Sequence, residues 1–186
     1  MTKAFTRLSA AELARLIRTK KASPVEVTEA HLAAIDRLNP AVNAFCTVAP
    51  EKALAWAREA EKAVKRRAKL GPLHGVPVAI KDLTPTAGIR TTWGSTLFRD
   101  HVPVEDAEVV LRLKAAGAIV IGKTNTPEFG AGANTVNRVF GATRNPWNTA
   151  LSASGSTGCG AAALAARMAP LAEGTDFGGS LRTPAA

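Results

Sequence analysis

A chain of 186 residues with 46% hydrophobic residues holds enough apolar material for one sizeable core, and no run of about 18 apolar residues suggests a membrane span. Two cysteines make no disulfide framework and the first nine residues lack an apolar secretory segment, so a reducing cytoplasm is the expected setting. The formal charge of +9 raises nucleic-acid binding, a reading that depends on where the charges fall.

In chain order, Ser9-Ala-Ala-Glu12 and Ser23-Pro-Val-Glu26 are both capping boxes, the second with proline at the first helical position, and each opens an amphipathic helix. Asn43 to Val48 reads as a strand, followed by a long helix from about Glu51 with an apolar face of Ala53, Ala57, Ala60, Val64 and Ala68. The densest basic patch, Lys62 to Lys69, closes that helix. Its charges lie on the solvated side and suit the C-terminal dipole, and no aromatic residue is interleaved with them. Nucleic acid is therefore not an expected partner.

Gly75 to Ile80 is a short apolar run bounded by glycine and proline, and reads as a buried strand leading into Lys81. A helix from about Asp106 should end at Gly117, and Ala118 to Ile121 should form the next strand. Gly117 to Thr124 satisfies the literal phosphate-loop pattern G-x-x-x-x-G-K-[ST], but its four variable residues, Ala-Ile-Val-Ile, are themselves a strand and Pro127 follows soon after. Nucleotide binding is rejected on that context. Gly160 to Met168 is helical by its alanine content, and a short extended segment near Leu171 leads to Ser180. The order argues an α/β fold with a mixed sheet, in one domain: a helical region over 1–70 and a motif-bearing core over 71–186.

Acyl transfer requires a nucleophile, a base and donors for the oxyanion. Ser180, in Gly174-Thr-Asp-Phe-Gly-Gly-Ser180, supplies the first. The glycines at 178 and 179 free the backbone so that the amides of Phe177, Gly178, Gly179 and Ser180 can curl around one point. Lys81 is the candidate base; to act near neutrality its pKa must fall to about 7 from about 10.4, which burial in an apolar wall can supply. Ser156, in Gly155-Ser-Thr-Gly158, is the natural relay between them.

These three segments, together with Ala115 to Gly130 and Thr143-Arg-Asn-Pro-Trp-Asn148, resemble the amidase signature family over nearly the whole chain. The resemblance implies Ser180 as nucleophile, Ser156 as bridging serine preceded by a cis peptide bond, and Lys81 as general base. Asp176 and Arg182 would brace the nucleophile loop, and Thr157 supports the relay. It further implies a large mixed sheet covered by helices, a small-molecule amide substrate, and no metal or organic cofactor. Family members are more than twice this long, so the chain is expected to be the N-terminal part of the catalytic domain, inactive or self-associating alone, with homo-oligomers left open. Ser154, Thr157, Cys159 and Gly160 depart from the family's usual Gly-Gly-Ser-Ser-Gly-Gly-Ser.

The alternative within the family is the A-type subunit of a glutamyl-tRNA amidotransferase, although Asn125 to Gly130 looks more like the stand-alone amidases. Cys159 as a thiol nucleophile is the alternative chemistry, disfavoured because it begins an alanine-rich helix. His31, His74 and His101 show no metal-ligand spacing, and Cys46 adds none, so no metal site is expected.

Overall fold

The computed structural model describes residues 5–186. A 3₁₀ turn at Phe5–Arg7 leads into α1 (Ala10–Arg18) and α2 (Pro24–Val42). Both helices start where the capping boxes predict. Glu12 N donates to Ser9 Oγ at 3.2 Å while Glu12 Oε2 accepts from Ser9 N at 2.8 Å, and Glu26 Oε2 accepts from Ser23 N at 3.0 Å. Each box satisfies amides that a helix start would otherwise leave without partners.

Asn43 belongs to the helix end and not to the predicted strand. It takes the left-handed conformation (φ 54°) and donates its amide to Asn39 O at 2.7 Å, so β1 begins only at Phe45 (Phe45–Val48). In α3 (Pro50–Lys65), Ala53, Ala57 and Val64 are buried as expected. Ala68 lies past its end, because the chain leaves the helix with Arg67 at φ 58°. The basic patch is exposed there, and Lys62 and Lys65 pair with Glu59 (2.7 Å) and Glu61 (2.6 Å) on their own helix.

Strand β2 (Pro77–Lys81) is buried at every position. Helix α4 spans Glu108–Ala115, later than the predicted start, because the Asp106 carboxylate is occupied by Ala87 N (2.8 Å) and Lys114 Nζ (2.6 Å). Gly117 ends it at φ 90°, and a Cβ there would lie 2.7 Å from His74 Cα, so the turn requires glycine. Strand β3 (Ile119–Thr124) runs three residues beyond the expected end. A small antiparallel pair, β4 (Val136–Asn137) and β5 (Gly141–Ala142), was not signalled by the sequence. Helix α5 (Gly158–Ala165) starts and stops earlier than predicted, with Arg167 at φ 58° turning the chain, and α6 (Arg182–Ala185) follows Ser180.

The sheet order is β1-β3-β2, with β1 antiparallel and β2 parallel to β3, so the sheet is mixed as expected. The predicted extended segment near Leu171 adds a single parallel bridge between Ala172 and Ala79 on the free side of β2. Ala79, Ile119 and Ile121 pack with α2, α3 and α5, while Val78, Ile80 and Val120 pack with Val110 of α4 and Ile89. Both faces are therefore covered, which explains the unbroken apolar run in β2.

One irregularity in this ladder matters for the site. The β2–β3 register shifts between Val78 and Ala79, pairing Lys123 with Ile80 and Thr124 with Lys81. Side chains alternate along a strand, so Lys123 shares the face of Ile80 and Lys81 takes the other.

Candidate active site

Lys81, the last residue of β2, is fully buried beneath the turn that opens α5. Its Nζ donates to Ser156 Oγ at 2.7 Å, to Thr157 Oγ1 at 3.0 Å and to Thr175 Oγ1 at 3.0 Å. Three donors meet three hydroxyl acceptors. This offsets the several kcal/mol that stripping water from an ammonium costs. Burial pushes Lys81 below the ordinary lysine value, with Cys159, Glu173 and Asp176 acting in the opposite direction.

Ser156 is itself buried, and the Gly155–Ser156 peptide is cis, as the family resemblance implies. Thr157 Oγ1, besides accepting from Lys81, donates to Thr175 O at 3.2 Å. A Cβ at Gly174 would overlap the Thr157 side chain, so the approach of the two segments depends on glycine.

Ser180 sits in the turn before α6, tied to the Ser156 turn by Thr157 N donating to Ser180 O at 3.1 Å. The Ser180 hydroxyl makes no hydrogen bond, to Ser156 or otherwise, among the described residues. Asp176 organises this loop. Its carboxylate accepts from Arg182 Nη2 (2.8 Å) and Nε (3.0 Å), and from the amides of Gly179 (2.8 Å), Leu181 (3.0 Å) and Arg182 (3.1 Å). The bidentate Arg182 guanidinium and the Gly179 amide hold the Asp176 carboxyl well below the usual carboxylate range. The expected set of oxyanion donors is thereby narrowed: Gly179 N is committed to Asp176, and the amides of Phe177, Gly178 and Ser180 are those with no protein acceptor among the described residues.

Other candidates fall into structural places. Cys159 is fully buried, donates to Asn125 O, and burial pushes its thiol up to about 11, against a thiolate nucleophile. His31 is buried with Nδ1 at 2.8 Å from Val27 O, His74 Nε2 lies 3.0 Å from Ala60 O, and His101 stacks on Trp93 with centroids 5.0 Å apart. The lysine of the phosphate-loop-like string, Lys123, is buried within β3 and donates to Thr84 O, Thr86 Oγ1 (2.8 Å) and Thr91 Oγ1 (3.0 Å), which leaves it no phosphate to meet.

Two residues of this neighbourhood were not singled out from the sequence, and Lys123 was met there only inside the rejected phosphate-loop string. Thr175 is the third acceptor of Lys81, and its position inside the Gly-Thr-Asp string was the available signal. Glu173 accepts from Lys81 N at 3.0 Å and from Thr84 Oγ1 at 3.0 Å. Lys123 lies beside buried Asp82, whose carboxyl is pushed up by burial against the pull of Thr92 and Lys123.

The chain that carries this buried lysine, cis serine and braced Gly-Gly-Ser loop is similar along its length to known proteins. The Amidase family model matches residues 26–186, and the chain belongs to that family. It is 48% identical over 180 residues to the A-type subunit of the glutamyl-tRNA(Gln) amidotransferase of Methylococcus capsulatus, covering 97% of this chain and 37% of that protein. Among solved structures it is similar to a fatty acid amide hydrolase (TM-score 0.94, 29% identity, 99% of this chain and 32% of that one). A bacterial aryl acylamidase of the amidase signature enzymes matches with TM-score 0.92 and 35% identity, covering 96% of this chain and 37% of that one. The chain thus spans about a third of the length of these relatives.

Proposed function

We propose that the chain carries the reacting residues of an amide hydrolase, with Ser180 as nucleophile, Ser156 as relay and Lys81 as base. The observation that carries this reading is the 2.7 Å contact between Lys81 Nζ and Ser156 Oγ, inside a pocket of hydroxyls and away from water. Burial favours the neutral amine, which a base requires.

Neutral Lys81 takes the Ser156 proton while Ser156 Oγ takes that of Ser180, and Ser180 Oγ bonds to the amide carbonyl carbon. The free amides of Phe177, Gly178 and Ser180 face the developing oxyanion. The proton then returns through Ser156 to the leaving nitrogen as the C–N bond breaks, and water cleaves the acyl-enzyme by the same relay. The relay needs Ser180 Oγ within reach of Ser156 Oγ, a contact that catalytic sites without substrate commonly leave loose. Asp176 and Arg182 hold the loop in register for it.

The second reading, an amidotransferase subunit, is favoured by the 48% identity to a protein of that name, against 29% and 35% for the two amide-cleaving enzymes. It shares the first half of the reaction, with the released nitrogen passed to an acceptor in an assembly. Ammonia release from glutamine and from aliphatic and aryl carboxamides tests both. Release lost in Ser180→Ala supports amide hydrolysis, and preference for glutamine supports the second reading. Release that persists in Ser180→Ala contradicts both.

A further inference from the structure

The bridge between β2 and the segment around Ala172 stops one rung short of Lys81. Ala79 N donates to Leu171 O at 3.0 Å and Glu173 N donates to Ala79 O at 2.8 Å, the alternating pattern of a parallel pair. The next rung would run from Lys81 N to the main-chain carbonyl of Glu173. Instead Lys81 N donates to the side chain, Glu173 Oε2, at 3.0 Å. The other carboxylate oxygen, Oε1, accepts from Thr84 Oγ1 at 3.0 Å, in the loop that leaves β2.

We infer that Glu173 is a positioning residue for Lys81: its carboxylate stands in for the missing rung, fixing the strand end that carries the lysine while the backbone peels away toward Ser180. The substitution solves a geometric conflict. Had the ladder continued through the carbonyl, Gly174 and Thr175 would follow β2 in register, and the turn that brings Thr175 Oγ1 to Lys81 Nζ would begin too late. By ending the ladder with a side chain, the protein clamps both Lys81 and Thr84 and releases the nucleophile segment in the same residue.

The clamp also brings a negative charge close to the lysine. The ionisable groups around Lys81 are Glu173 and Asp176 from the nucleophile segment and Cys159 from α5, all of which favour the ammonium against the effect of burial. Lys123, on the other face of the sheet, holds Thr84 O and so shares the loop that Glu173 clamps. Glu173 thereby limits how far burial lowers the proton affinity of the base. This inference rests on Lys81 being the base, but its test does not depend on turnover.

Lysine labelled with ¹³C at Cε allows the Lys81 titration to be followed by NMR, with the resonance assigned by its loss in Lys81→Met. Glu173→Gln keeps an oxygen for Lys81 N and removes the charge. The Lys81 midpoint should move to lower pH, a roughly tenfold weaker proton affinity. Glu173→Met removes the clamp as well, and should lower the midpoint and speed hydrogen exchange at the Lys81 amide. A midpoint unchanged or raised in Glu173→Gln overturns the inference, as does an unchanged Lys81 amide exchange rate in Glu173→Met. The titration reads the same whether or not the 186-residue chain turns over an amide, so failure of this inference and failure of the proposed function, which Ser180→Ala tests, are told apart.

Discussion

Thr157 N donates to Ser180 O at 3.1 Å, so the turn that carries Ser156 and the turn that carries Ser180 are joined through the main chain. The same Thr157 presents its hydroxyl to Lys81 Nζ at 3.0 Å. One residue therefore couples the position of the nucleophile turn to that of the base, and a disturbance of either segment should be felt at both.

Lys81→Ala should reduce amide hydrolysis by roughly 10³-fold across the pH range, the scale of a lost general base. Ser156→Ala should be clearly damaging. His74→Ala should leave turnover largely unchanged, since its ring is spent on Ala60 O. Steady-state rates for the three variants check this, and a His74→Ala loss equal to that of Lys81→Ala would misplace the base.

Gly174→Ala drives a methyl into Thr157 and toward Leu181 Cδ2 (2.8 Å), displacing one of the three acceptors of Lys81. Overpacking of this kind costs about 1–3 kcal/mol. Urea unfolding should show that loss together with reduced turnover. Unchanged stability would mean that Thr157 is free to move.

Asp176→Asn removes the charged partner of Arg182 and weakens the anchoring of the Gly179, Leu181 and Arg182 amides. Displacement of Ser180 by about 1 Å can cost up to about 10²-fold in rate. Arg182→Lys should act in the same direction, because lysine cannot make the bidentate pair. Limited proteolysis near exposed Phe177 should accelerate in both variants; cleavage at the parent rate would remove the bracing role.

Lys123 gives a stability prediction with a defined sign. Burial lowers it from the ordinary lysine value of 10.5 to about 8, so between these pH values the unfolded chain binds the proton that the folded chain has lost. The Lys123 contribution to stability should rise with pH through that window, opposed by the raised thiols of Cys46 and Cys159, and its penalty is complete once pH falls below about 8. The amplitude is about 3 kcal/mol. Lys123→Met abolishes this dependence, whatever its effect on overall stability. Denaturation at pH 8 and pH 10 compares the two slopes, and parallel slopes would contradict the assignment.

Much of the site was legible because its chemistry is written in short local strings. Lys81 closes a glycine- and proline-bounded apolar run, and Ser156 lies between two glycines, so burial of the first and the tight turn of the second follow from neighbouring residues. The separate role of Lys123 was not legible, because it depends on the register shift between β2 and β3, which no single strand encodes. The commitment of the Gly179 amide depends on Asp176 folding back over three residues, and the start of α4 on Asp106 reaching Ala87 across the intervening loop. Glu173 escaped notice because its role exists only where a ladder ends.

The most direct measurement of the central claim is covalent labelling with a fluorophosphonate, mapped by mass spectrometry. A single adduct on Ser180 is expected, absent in Ser180→Ala and strongly slowed in Lys81→Ala, since the probe needs the same activated hydroxyl as an amide substrate. An adduct on Cys159, or labelling of Ser180 that proceeds at the parent rate without Lys81, would contradict the account.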